Sequence, residues 1–214
     1  MGEHLLSQQS FSSTTQVLEL GSGTGLCGLM LAKGCKCRME ITDLPELMGL
    51  MRRNLARNFV VEDGTTTENE PDWKECKASC SSSVSARVLR WGHDKDYGKP
   101  VDVVLGADVV ASLYDPIALA ETMWCLCHSE STVYVSYKGR LTGPHVSFEK
   151  RLGELFASVK RCKPISRNRN PQVWILQATG RRQEPQHLRV GLGINDDSTH
   201  NTAGETDSQD HYIP

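Results

Sequence analysis

The apolar and polar positions along the first third of the chain predict strand, loop, helix, strand and helix in turn. Residues 16–20 (QVLEL) form a short apolar strand that runs into the glycine-rich stretch GSGTG at 21–25. TGLCGLMLAKG then sets Leu26, Leu29 and Met30 at helical spacing and stops at Gly34, a residue suited to a helix C-terminus. RMEIT (38–42) alternates as a second strand with Asp43 at its end, and PELMGLMRRNLARN reads as a helix with Pro45 in its first turn. This βαβα order builds a parallel sheet.

From about 60 to 85 the periodicity breaks into VEDGTTTENEPDWKECKASCSSSVS, which reads as a polar, partly disordered surface insertion. Pattern returns at 86–90 (ARVLR), followed by Trp91 and Gly92. VDVVLG (101–106) is a near-continuous apolar run, as expected of a strand buried on both faces, and Ala107 and Asp108 follow it. DPIALAETMWCLCH is helical and STVYVSYKG strand-like. HVSFEKRLGELFASV reads as an amphipathic helix with Phe148, Leu152, Leu155, Phe156 and Val159 inward. The last strand is QVWILQA (172–178).

The expected fold is α/β: a doubly wound, Rossmann-like mixed sheet of seven strands, the last antiparallel because no clear helix separates the final two. One domain over 16–180 is expected, preceded by a short segment (1–15) and followed by a polar, disordered tail from 181 to 214. In any open sheet of this kind ligands bind beyond the carboxyl ends of the strands. That rule gathers Gly21, Gly23, Gly25, Asp43, Trp91 and Asp108 at one edge.

Composition narrows the partners. A formal charge of -2 and an isoelectric point of about 6.4 give no global attraction to nucleic acid or anionic membrane. No apolar run is long enough to span a bilayer, and MGEHLLSQQSFSSTT lacks the basic and apolar blocks of a signal peptide, so a cytoplasmic location, with the nucleus as a second site, is expected. The myristoylation pattern is not met, because position 6 is Leu. The eight cysteines lie scattered through patterned segments without the C-x2-C pairs and histidines of a zinc site. Reduced thiols and no metal are the expectation.

Two glycine registers overlap in the loop. Gly23-x-Gly25-x-x-Gly28, with Asp43 twenty positions after Gly23, satisfies the dinucleotide fingerprint. Glu19-x-Gly21-x-Gly23-x-Gly25 instead places a carboxylate two residues before the first glycine, where it disfavours a pyrophosphate and suits a ligand carrying an ammonium group. Glycines here also serve a tight turn, and Asp43 is placed to cap the next helix.

Taken in order, VLELGSGTGLCGL, ITDLPELMGLMRRNLARN, RWG, VDVVLGADVV and RNRNPQVWIL resemble the small seven-β-strand methyltransferases of the protein-lysine methyltransferase-like family, over about Val17 to Ala178. The resemblance implies S-adenosylmethionine as cofactor and a protein substrate methylated at lysine by a monomer. It implies Glu19, Gly21, Gly23 and Gly25 for the cofactor loop, Asp43 for the ribose, Trp91 for cofactor packing, and Ala107 with Asp108 beside the methyl donor. Methyl transfer of this kind rests on alignment and on a neutral acceptor amine, which the Asp108 carboxylate is placed to orient.

Two departures stand out. The family commonly carries an aromatic three positions after the acid, whereas Ala111 stands there; Tyr114, six positions on, and Tyr137, after the fifth strand, are the candidate replacements. Trp91 and Tyr137 each have a competing place in the core. The family also has a longer segment before the first strand, so an abbreviated lid is expected. These departures keep a noncatalytic binding module as an alternative, and the second glycine register keeps an NAD-dependent oxidoreductase as a third.

Overall fold

The computed structural model describes residues 1–8, 11–35, 37–59, 76–77, 83–93, 97–138, 143–164 and 172–183. Most of the expected insertion, at 60–75 and 78–82, and all of the tail from 184 lie outside these.

In chain order the elements are α1 (Gly2–Gln8), β1 (Gln16–Leu20), α2 (Leu26–Gly34), β2 (Arg38–Asp43), α3 (Pro45–Asn58), β3 (Cys76–Lys77), β4 (Ser83–Val88), β5 (Val101–Ala107), α4 (Pro116–Cys125), β6 (Cys127–Lys138), α5 (Pro144–Leu155), β7 (Phe156–Cys162) and β8 (Val173–Arg181). They form one sheet in the order β3-β4-β2-β1-β5-β6-β8-β7. Without the two-residue β3 this is a seven-stranded sheet, 3-2-1-4-5-7-6. β4, β2, β1, β5 and β6 run parallel, and β8 is antiparallel to both neighbours. The expected doubly wound mixed sheet with an antiparallel last strand is therefore present.

The order in which successive strands are added reverses between β1 and β5, which pair in parallel from Val17↔Val103 to Leu20↔Gly106. A crevice opens there beyond the strand ends. Leu18, Leu20, Val104 and Leu105 are all at most 1% exposed, as strands covered on both faces require. On one face Leu5 of α1, Leu29 and Leu31 of α2, and Met51 and Leu55 of α3 gather with Met39, Ile41, Leu105 and Ile175 in one core. Beyond the other, α4 and α5 are joined by Arg151, which donates to Glu121 at 2.5 Å and to Glu154 at 2.8 Å.

Two local readings are corrected and one element is added. The last predicted helix ends at Leu155, so Phe156 and Val159 lie on the strand β7. Its apolar spacing of three and four continues smoothly into a strand pattern, and no Gly or Pro marks the change. The helix before β6 ends at Cys125, which leaves Cys127 and His128 on the strand. The opening segment holds the short helix α1, whose Leu5 is fully buried. Among the described residues, no helix is long and apolar enough to cross a membrane.

Candidate functional site

The glycine loop is stitched to the end of β2. Ser22 N–H donates to the Thr42 carbonyl (3.0 Å) and Gly25 N–H to the Ser22 carbonyl (2.7 Å), while Thr42 N–H donates back to Ser22 Oγ (3.1 Å). Asp43 closes the turn: its Oδ2 accepts from Gly23 N–H and its Oδ1 from Leu44 N–H, each at 2.7 Å. Leu44, not Asp43, is the N-cap residue of α3, and Asp43 ties the glycine loop to the residue that opens that helix.

Gly23 has φ +56, and a Cβ there would meet nothing within 4 Å. Its conformation favours glycine and its open side faces no protein atom, which is what a loop needs to lie against a ligand. Gly21 is different: a Cβ would come within 2.8 Å of Val109 Cγ1 and 2.9 Å of Trp91 Cζ2. Trp91 is thereby seated directly on the loop.

Glu19 lies beneath, 1% exposed. Its Oε2 accepts from Gly28 N–H at 3.0 Å. Burial pushes its carboxyl up to about 7, against the Gly28 hydrogen bond that favours the charged form. The neighbouring Cys27 thiol is pushed up to about 12, first by burial and then by the Glu19 charge. Gly28 fits only because it lacks a Cβ, which would stand 2.6 Å from Ile41 Cγ2 and 2.8 Å from Glu19 Oε2. The third glycine of the dinucleotide register is thus accounted for inside the protein.

Across the crevice, Ala107 ends β5 half-buried, paired with Ser136 of β6. Asp108 follows, exposed, with φ +62, the sole non-glycine in the left-handed region among the described residues. Its N–H donates to the Ser136 carbonyl at 2.8 Å, fixing the turn. A left-handed Asp at a strand end beside a crevice is a held conformation of the kind found at functional sites. Val109 then turns inward, 3% exposed, under Gly21.

Tyr114 is folded back by a turn in which its N–H donates to the Ala111 carbonyl (3.1 Å). Its ring stands edge-on to Trp91, centroids 5.3 Å apart and planes at 68°. Tyr114 therefore reaches the loop through Trp91. The turn carrying Trp91 is pinned to α4, because Gly92 N–H donates to Thr122 Oγ1 at 3.1 Å.

Tyr137 is not brought to this group. It is 3% exposed, its hydroxyl donates to Glu149, and its ring stacks on His145 at 5.8 Å. Burial, and then the Glu149 hydrogen bond, raise its hydroxyl well above the usual tyrosine range. Ser22, Thr42, Val109 and Thr122 also build the site, and sequence reasoning did not single them out. Ser22, Thr42 and Val109 lay inside the quoted GSGTG, RMEIT and GADVV stretches without being assigned a role.

The residues fit S-adenosylmethionine on the structure's own terms: an open glycine cradle at Gly23, a carboxylate at the end of β2, and an indole seated on Gly21. The sequence model of the lysine methyltransferase family matches residues 2–154. The chain belongs to this family. EEF1A lysine methyltransferase 3 of Xenopus tropicalis is 28% identical over 167 residues, 77% of this chain and 63% of that protein. Protein-lysine methyltransferase METTL21E of Mus musculus is 29% identical over 145 residues, 65% of this chain and 52% of that one. The chain thus spans about half to two thirds of the length of these family members. Among solved structures, the S-adenosylmethionine-dependent methyltransferase SibL in its apo form superposes with a TM-score of 0.56 at 16% identity, over 85% of this chain and 55% of that chain. This likeness makes the fold that of the class I methyltransferases.

Proposed function

We propose that this family member is a protein-lysine methyltransferase that binds S-adenosylmethionine over GSGTG. The observation that carries the reading is the left-handed Asp108 at the end of β5, across the switch point from the open cradle at Gly23. The cofactor, when bound, supplies an electrophilic methyl group on a sulfonium.

In this reading Gly21, Gly23 and Gly25 present loop backbone to the cofactor, and Asp43 keeps lone pairs for the ribose hydroxyls beside the two N–H groups it already accepts. Glu19 holds the loop from below through Gly28. Trp91 packs against the cofactor, and Ala107 leaves room beside the methyl. Asp108 accepts a hydrogen bond from the acceptor amine and orients it, and Tyr114 closes the acceptor side with its ring on Trp91. An acceptor lysine reacts only as the neutral amine. Tyr137, buried and bonded to Glu149, takes no part in this arrangement. A monomer acting in the cytoplasm or nucleus completes the reading; the reduced thiols at Cys27 and Cys127 suit a reducing compartment.

The test is a melting experiment followed by transfer. S-adenosylhomocysteine at about a hundredfold excess over its dissociation constant is expected to stabilise the protein by roughly 2.7 kcal/mol, and NAD not at all. Labelled methyl transfer to lysate protein, absent in Asp108→Ala, then identifies the activity. Stabilisation by NAD alone would sink the reading; cofactor binding without transfer would favour the noncatalytic module.

A further inference from the structure

The charges of this chain are not spread evenly. Residues 138–183 carry eleven Lys and Arg against two Glu, whereas the rest of the chain carries thirteen Lys and Arg against twenty-four Asp and Glu. Both acids of the basic segment are engaged within the fold: Glu149 accepts from Tyr137 and Arg161, and Glu154 from Arg151 at 2.8 Å. Among the described residues of this segment the exposed cations are Lys138, Lys150, Lys160, Arg161, Lys163 and Arg182.

Topology puts part of that charge beside the site. β6 is parallel to β5, and β6 and β7 are both antiparallel to β8, so the carboxyl ends of β5, β6 and β7 share one edge of the sheet. Lys138 ends β6, and Lys160, Arg161 and Lys163 stand at the end of β7, all four exposed. Lys163 Nζ lies 3.5 Å from the centroid of the Trp174 ring, at the start of β8. The same edge begins at Asp108, whose N–H is bonded to Ser136 of β6.

We propose that this edge receives an acidic segment of the protein acceptor, so that the target lysine is presented from an Asp- or Glu-rich stretch. The proposal rests on the lysine-methyltransferase reading and deepens it. A lysine is itself a cation, and a neutral or basic segment bringing it to this edge meets repulsion; acidic neighbours reverse the sign and steer the encounter.

The probe is a fluorescein-labelled Glu-rich peptide containing one lysine, compared with the same peptide carrying Gln for Glu. Anisotropy is expected to show the acidic peptide binding at least about tenfold tighter at about 50 mM salt, with the gap shrinking at about 200 mM. Lys138→Glu with Lys163→Glu is expected to erase the preference while the melting shift with S-adenosylhomocysteine is unchanged. Lys138→Gln with Lys163→Gln, a milder pair should the reversal impair folding, is expected to weaken the acidic peptide several-fold. Equal affinity for both peptides, or a preference untouched by these changes, overturns the proposal. Tighter binding of an oligouridylate of equal charge also overturns it, in favour of RNA. An acidic preference without stabilisation by S-adenosylhomocysteine supports the surface and removes the methyltransferase reading, so the two fail separately.

Discussion

The carboxylate of Glu19 and the backbone N–H of Gly28 meet at 3.0 Å through a gap that a single methyl group would fill. Strand β1 and helix α2 are held together at this point, directly under the glycine loop. Gly28→Ala brings a Cβ within 2.6 Å of Ile41 Cγ2, on a stiff β-branched side chain that is fully buried. Overpacking of this sort costs about 1–3 kcal/mol, more than the gain in helix propensity of up to about 1 kcal/mol. A lower melting temperature by several degrees is expected, read by calorimetry.

Glu19 also sets a pH dependence. Its carboxyl is raised from 4.5 to about 7 in the folded protein, first by burial. An acid raised on folding binds more protons in the native state, so its stabilising share is full below the unfolded value and is lost as pH climbs through about 7. Urea unfolding across pH 5 to 8 is expected to show Glu19→Gln gaining stability relative to the parent as pH rises. A difference between the two that stays flat over this range would contradict the assignment.

Gly21 and Gly23 share a left-handed backbone but not their surroundings. Gly21→Ala meets Val109 and Trp91 at under 3 Å and is expected to lower stability outright. Gly23→Ala meets no protein atom, so its cost is the conformational strain alone, about 1–2 kcal/mol. If the cradle holds the cofactor, Gly23→Ala removes most of the S-adenosylhomocysteine melting shift while the unliganded protein still melts cooperatively. A full shift in that variant would move the cofactor elsewhere.

Much of this was legible in the chain. Apolar runs at 16–20 and 101–106 marked the two central strands because both their faces are covered, and the loop between β1 and α2 announced itself by its glycines. The boundary at Leu155–Phe156 was not legible, since Phe148, Leu152, Phe156 and Val159 keep helical spacing while the backbone changes from α5 to β7 without an intervening residue. The site divides the same way. Strand-end position singled out Asp43 and Asp108, but the two N–H groups bonded by Asp43 and the left-handed turn of Asp108 depend on neighbours brought together only by the sheet. Seven residues of α1 are too few to show a period; its helix rests on Leu5, buried in the core.

Tyr137 and Glu149 test the difference between structure and chemistry. Tyr137→Phe removes the donor to a carboxylate whose side chain is 15% exposed and which keeps Arg161 as partner. A loss of about 1.5–3 kcal/mol is expected, as for a hydrogen bond to a charged group. Methyl transfer at temperatures well below melting is expected to persist within a few-fold. A rate loss far beyond that, with KM unchanged, would place the Tyr137 hydroxyl in the chemistry.

Asp108 and Tyr114 carry the sharper test, because their side chains can be altered without disturbing their backbone. Asn tolerates the left-handed region as Asp does, so Asp108→Asn is expected to melt close to the parent, whereas Asp108→Ala adds strain of roughly 1 kcal/mol. If the carboxylate orients the acceptor amine, both variants lose methyl transfer by about a hundredfold or more and both keep the S-adenosylhomocysteine shift. Tyr114→Phe separates the ring from its hydroxyl. The edge contact with Trp91, worth about 0.5–1.5 kcal/mol, survives in Phe and is lost in Ala. A wall made by the ring alone predicts near-parental transfer for Tyr114→Phe and a weakened cofactor shift for Tyr114→Ala. A slow Tyr114→Phe with an unchanged cofactor shift would instead show that the hydroxyl, six residues after the acid, does the work of the aromatic that Ala111 cannot supply.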